Sequence, residues 1–130
     1  MGRSLTLALG LLLVVGPAAR GQSPVRDYRK AHERELLAEF AELLAIPNVA
    51  SDRANIRRNA EHIVKMMGRR GLAPRLLEAG AAGAPPAVYG EWKVEGAART
   101  VVLYAHYDGQ PTDPKQWAAG LEPWRPTLRT

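Results

Sequence analysis

The apolar run Val101-Val102-Leu103-Tyr104-Ala105 constrains the fold more than any other stretch of the chain. Five consecutive apolar residues predict a strand buried on both faces, an interior strand of an α/β sheet. His106 ends the run, Asp108 follows two positions later, and Gly109-Gln110-Pro111 stops the strand. In open α/β folds, ligands and catalytic groups gather in the crevice outside the strand ends. Strand periodicity projects positions 106 and 108 to the same side. The carboxylate can then orient the imidazole or share a metal with it. His106 and Asp108 are therefore the candidate site residues, able to provide a metal ligand and its orienting group, while a structural histidine at a strand end is the alternative.

The segments before this run read as two helices followed by two further strands. Ser23-Pro24 opens a helix to about Ala45, with Leu36, Leu37, Phe40, Leu43 and Leu44 as its apolar stripe. Pro47 ends it. Ser51 or Asp52 can cap a second helix with the stripe Ile56, Ala60, Ile63, Val64 and Met67, and Gly71 suits its C-terminal end. The period then changes. Residues 74–79 and 87–94 read as strands, with Gly90 placed for a bulge. The predicted strand at Thr100–Ala105 is the third. Beyond Gly109, Pro111, Pro114, Pro123 and Pro126 leave turns rather than elements. Helix, helix and three strands, with nothing to cover the far side of a buried strand, predict the first part of a larger fold.

The N-terminus has the layout of an export signal. Arg3 precedes the apolar run Leu5–Gly16, Pro17 breaks it, and the small residues Ala19 and Gly21 follow. Residues 1–21 are assigned as a signal peptide, with cleavage after Ala19 as the alternative. The run is shorter than the roughly 20 apolar residues of a membrane span. No stable membrane anchor is expected, an uncleaved N-terminal anchor being the alternative, and the location implied is secreted or periplasmic. The 130 residues contain no cysteine. Even in an oxidising compartment the fold must rest on packing or metal.

Removing Arg3 and Arg20 with the leader leaves sixteen basic residues against thirteen acidic ones, a net charge of +3 rather than +5. Arg53, Arg57, Arg58, Lys65, Arg69 and Arg70 cluster on the second helix, where a solvated face explains them. No nucleic-acid partner is expected, since no binding motif accompanies these charges. His32-Glu33-Arg34-Glu35 lacks the second histidine of a zinc-protease helix, because Leu36 stands there. His62 is expected in solvent, and Trp92, Trp117 and Trp124 in packing roles. No phosphate loop or nucleophile elbow occurs.

The segment LYAHYDGQP resembles the strand-end motif of peptidase family M twenty, which includes carnosine-type dipeptidases, carboxypeptidase G, acetylornithine deacetylase and aminoacylase. The opening helix with its Ile46-Pro47-Asn48-Val49 exit resembles the family's first helix, and RRGLAPRLLE its helix-to-strand passage. The segment from Trp117 through PWRPTLR resembles the Trp/Pro-rich stretch after the metal strand. Gln110-Pro111 points to the dipeptidase-like branch. Gly109 stands where Val is common, and Ala105 where Gly is common.

The resemblance implies an α/β fold, with residues 22–130 as the N-terminal portion of a di-zinc exopeptidase catalytic domain. It implies that His106 binds one of two zinc ions and that Asp108 is an active-site residue just behind the ligands. The family's bridging Asp, Glu-Glu pair, further acidic ligand and late His have no match in these 130 residues. Nor has the lid domain through which a homodimer forms. The implied reaction is hydrolysis of dipeptides or similar small amides. Two zinc ions about 3.5–4 Å apart acidify a water, and a glutamate takes its proton. One histidine falls short of this, since catalytic zinc needs about three protein ligands, so these residues alone are expected to be inactive. The alternatives are an N-deacylase acting on acyl-amino acids, and an exported scaffold without catalysis.

Overall fold

The computed structural model describes residues 23–78, 80 and 83–129. The leader assigned to residues 1–21 lies outside them. The chain divides after His32 into two compact units. The described part of the first is α1, Pro24–Ala31, every residue of which is exposed. Its sequence PVRDYRKA supplies no apolar stripe, so nothing in it demands burial. Tyr28 and His32 stack at 4.1 Å between ring centroids, and the Tyr28 carbonyl accepts from the His32 backbone N–H and lies 2.9 Å from its Nδ1. Where one helix is predicted to run to Ala45, the chain turns at His32 and begins again.

The second unit starts with α2, Glu33–Leu44, and α3, Arg53–Arg69. Asp52 caps α3 by accepting from the Asn55 backbone N–H at 3.1 Å and from Asn55 Nδ2 at 2.7 Å. Gly71 follows the helix at φ +76°, the left-handed turn that favours glycine. Ile56 and Ala60 are fully buried, and Ile63, Val64 and Met67 half-buried, as the predicted stripe requires. The α2 stripe is covered only in part. Leu36 and Leu43 are half-buried, while Leu37, Phe40 and Leu44 remain exposed.

β1, Arg75–Leu77, and β2, Ala87–Tyr89, form an antiparallel pair with Leu76 opposite Val88. Both strands lie against α3. Leu76 and Val88 are half-buried while their neighbours are exposed, the alternation of a one-sided sheet. Strand β2 ends at Tyr89 rather than at Val94. Gly90 lies just past the last paired residue rather than in a bulge, and a Cβ there would meet the flexible end of Met67, 2.2 Å from its Cε. Trp92 is left exposed. The fold of the described residues is thus mixed α/β, with three α-helices, a 3-10 turn at Pro114–Gln116 and one small sheet.

The predicted interior strand Thr100–Ala105 is not a strand among the described residues. The segment is unpaired, and Val101, Val102, Leu103 and Tyr104 are 79–92% exposed. An interior strand needs partners on both edges and cover on both faces. The sheet here is β1 with β2 alone, so the run has the composition of a buried strand without its neighbours.

One ion cluster joins α2 to the end of α3. The Glu39 carboxylate accepts from Arg69 Nη2 at 2.6 Å and from Arg70 Nη1 and Nη2. Hydrogen bonds from Arg70 and then Arg69 hold its pKa down from 4.5 to about 2. A depressed folded value stabilises the native state fully above the unfolded pKa, and that contribution fades as pH falls from 4.5 towards 2. Glu39→Gln is therefore expected to lower the urea midpoint at pH 7 and to flatten the loss of stability across that acid window. Midpoints measured at pH 7, 4 and 2.5 check this. A mutant curve parallel to wild type throughout would refute it.

Candidate functional site

The site is the chain end of the extended run, and its backbone is fixed from the α2–α3 connection. The Gly109 N–H donates to the Asn48 carbonyl at 2.8 Å, and Val49 and Gly109 form a parallel bridge. Asn48 Nδ2 donates to the Tyr107 carbonyl at 3.3 Å. The Tyr107 hydroxyl donates to the carbonyl of buried Pro86. Burial, with the carboxylates of Asp108 and Glu78 adding to it, raises the Tyr107 pKa, so the phenol remains a protonated donor. Residues 107 and 109 are therefore turned towards the fold, and residues 106 and 108 away from it.

That alternation brings the two candidate residues together. His106 Nδ1 lies 2.9 Å from the Asp108 carbonyl oxygen and 3.2 Å from Asp108 Oδ1. Both oxygens only accept, so this arrangement favours the tautomer with the proton on Nδ1. Nε2 is then left with its lone pair, the form in which histidine binds a metal. The His106 side chain is 73% and the Asp108 side chain 47% exposed, so the pair opens to solvent. A carboxylate or carbonyl behind the far ring nitrogen is the usual partner of a metal-bound histidine, fixing its orientation and raising its basicity.

The pair fits one ligand and its orienting group. It does not fit a whole zinc centre. Among the described residues no cluster of three or more His, Cys, Asp or Glu side chains could hold a metal ion. Gln110 and Pro111 are exposed.

The other histidines stand apart. His32 lies on the first unit. His62, expected in solvent, is half-buried, and its Nε2 is buried without a hydrogen-bond partner beside Ile46, Arg58, Glu61 and Lys65. Besides its charged helical neighbours, Ile46 from the preceding connection reaches this side.

Two residues at the site were not singled out by motif. Asn48 is one, and its signal was only its place between Pro47 and Val49. Trp124, expected in packing, is the other. It is half-buried and donates from Nε1 to Asn48 Oδ1 at 3.4 Å. Its backbone takes φ +53°, the only positive φ outside glycine among the described residues. For a bulky side chain that costs about 1–3 kcal/mol and persists only where surrounding contacts hold it. Trp117 and Trp92 are exposed.

No described helix is long and apolar enough to cross a membrane. The chain matches no protein-family model, no curated protein and no solved structure.

Proposed function

We propose that these 130 residues are the N-terminal part of an exported zinc metallopeptidase that hydrolyses dipeptides or similar small amides. The observation that carries the reading is the His106–Asp108 pair, with Nδ1 held by Asp108 and Nε2 open. In this reading His106 supplies one metal ligand through Nε2, and Asp108 orients it and sharpens its basicity. The remaining ligands and the general base come from residues beyond these 130, because one histidine falls short of the three or so that catalytic zinc requires. The exposed apolar face of Val101–Tyr104 supports the same view, since further strands of a larger sheet would cover it. The leader-like residues 1–21 place the reading outside the cytoplasm, in a secreted or periplasmic protein. A small peptide or acyl-amino acid is the substrate class, and a homodimer formed through a further domain belongs to the same reading.

The test uses the full-length protein, assayed for zinc content and for hydrolysis of a dipeptide panel and an N-acyl-amino-acid panel, before and after chelation. Dipeptide turnover that disappears with chelation and returns with zinc is the expected result. Turnover confined to acyl-amino acids would make the protein a deacylase. A zinc-loaded protein that cleaves neither panel would leave only a scaffold and overturn the proposal. The 130-residue chain alone is expected to bind zinc weakly and to show no turnover, which calorimetric titration with zinc checks.

A further inference from the structure

Asn48 has no place in the motif that points to His106 and Asp108, yet it holds the backbone on both sides of Asp108. Its carbonyl accepts from the Gly109 N–H at 2.8 Å, and its Nδ2 donates to the Tyr107 carbonyl at 3.3 Å. Its Oδ1 accepts from Trp124 Nε1 at 3.4 Å, which fixes which way round the amide sits. Carbonyl and amide nitrogen are engaged with residues 107 and 109 of one segment, and the amide oxygen with Trp124 of another.

The consequence follows from the two-residue period of extended chain. Tyr107 and Gly109 are fixed inward, so His106 and Asp108 must point outward together. A shift of one residue would turn His106 inward and break its contacts to the Asp108 carbonyl and carboxylate. A second observation independently shows the closeness of the clamp. A Cβ on Gly109 would lie 2.7 Å from Asn48 Oδ1 and 3.1 Å from both its Cγ and Nδ2. Gly109 does not have a positive φ, so its lack of a side chain is explained by Asn48 rather than by backbone conformation. Trp124, held in the left-handed region, is the third part of the same arrangement.

We propose that Asn48, buttressed by Trp124, is the positioning residue that sets the phase of the 106–109 strand end and aims His106 Nε2 at its metal. The inference rests on the reading of His106 as a metal ligand. It is tested in the full-length protein with Asn48→Ala, Asn48→Asp, Gly109→Ala and Trp124→Phe, with Trp92→Ala as the exposed control. Four quantities are read: zinc dissociation constant, kcat and KM on the best amide substrate, thermal midpoint, and the NMR signals of the His106 ring nitrogens in zinc-free protein.

Asn48→Ala is expected to weaken zinc binding and lower kcat by about 10–100-fold, the usual effect of losing a group behind a ligand, with KM little changed. The His106 signals should lose their preference for the Nδ1-protonated tautomer. Asn48→Asp keeps the size and the acceptor for Trp124 but sets a carboxylate oxygen against the Tyr107 carbonyl, so it should lose most of the same activity. Gly109→Ala leaves Asn48 in the chain and displaces its side chain. Trp124→Phe deletes one hydrogen bond and keeps a ring. Both should move the same readouts in the same direction by less.

A residue that merely supported the fold would lower the thermal midpoint and leave the tautomer preference intact in whatever stays folded. If Asn48→Ala fails to fold, the other three variants carry the test. Wild-type zinc affinity, kcat and ring signals in the folded variants would overturn the proposal. Should the wild-type protein neither bind zinc nor cleave amides, the metallopeptidase reading fails by itself. The ring signals then decide the role of Asn48: altered in the variants, the clamp stands; unaltered, it falls.

Discussion

His106→Ala in the full-length protein is expected to reduce amide hydrolysis to background and to weaken one of two zinc sites. The expectation follows from the ring's position. Nδ1 lies 2.9 and 3.2 Å from the two Asp108 oxygens, and the side chain is 73% exposed. Alanine removes the imidazole nitrogen that this reading assigns to the metal. Stability should hardly change, because the side chain is largely exposed. Asp108→Asn is the sharper companion. It keeps the shape and the backbone carbonyl contact but removes the negative charge from behind the imidazole. A loss of about 10–100-fold in metal affinity or rate is expected, with the fold intact. Metal analysis and turnover of the two purified variants decide. Full zinc and full turnover in His106→Ala would remove the basis for the assignment.

The sequence made part of this site readable and hid the rest, for physical reasons. The outward alternation of His106 and Asp108 was legible because it depends only on local extended geometry and on the turn at Gly109 to Pro111. The cap at Asp52 and the left-handed Gly71 were legible for the same reason, each being set within a few residues. What failed were particular features that needed a partner distant in sequence. Val101–Ala105 has a strand's composition, but its pairing depends on neighbours that the local sequence does not contain, and here it stays unpaired and exposed. The Asn48 clamp joins residues 59 and 76 positions apart, through hydrogen bonds that leave no periodic trace. Trp124 reads from sequence as bulk for packing, while its function here is an N–H aimed at one oxygen. Burial of His62 Nε2 was hidden likewise, because Ile46 comes from a different segment.

Ile56→Ala is expected to have the largest effect on stability, and its consequences should reach the site. Ile56 is 1% exposed and is the largest fully buried side chain of the described residues; Ala60 is the only other fully buried hydrophobic residue. Truncating such a residue to alanine costs about 2–5 kcal/mol, from lost transfer energy and from the cavity left behind. Domains usually have only about 5–15 kcal/mol in total, and with so small a buried core this chain belongs at the lower end. The substitution should therefore remove most of the folding free energy. Ile56→Val, which removes one methylene, should cost about 0.5–1.5 kcal/mol and remain folded. The link to the site runs through the next turn of α3. Buried Asn59 donates from Nδ2 to the Pro47 carbonyl at 2.6 Å and to the Asn55 carbonyl at 3.0 Å. Pro47 immediately precedes Asn48, so the helix that Ile56 anchors also anchors the clamp on residues 107 and 109. Urea unfolding followed by circular dichroism should show a cooperative transition in wild type, a shifted one in Ile56→Val and little or none in Ile56→Ala. In Ile56→Val the His106 ring signals should still match wild type, because the helix remains in place. A cooperative transition in Ile56→Ala at the wild-type midpoint would mean that the stability of this unit lies outside α3, and the route from core to site through Asn59 and Pro47 would be wrong.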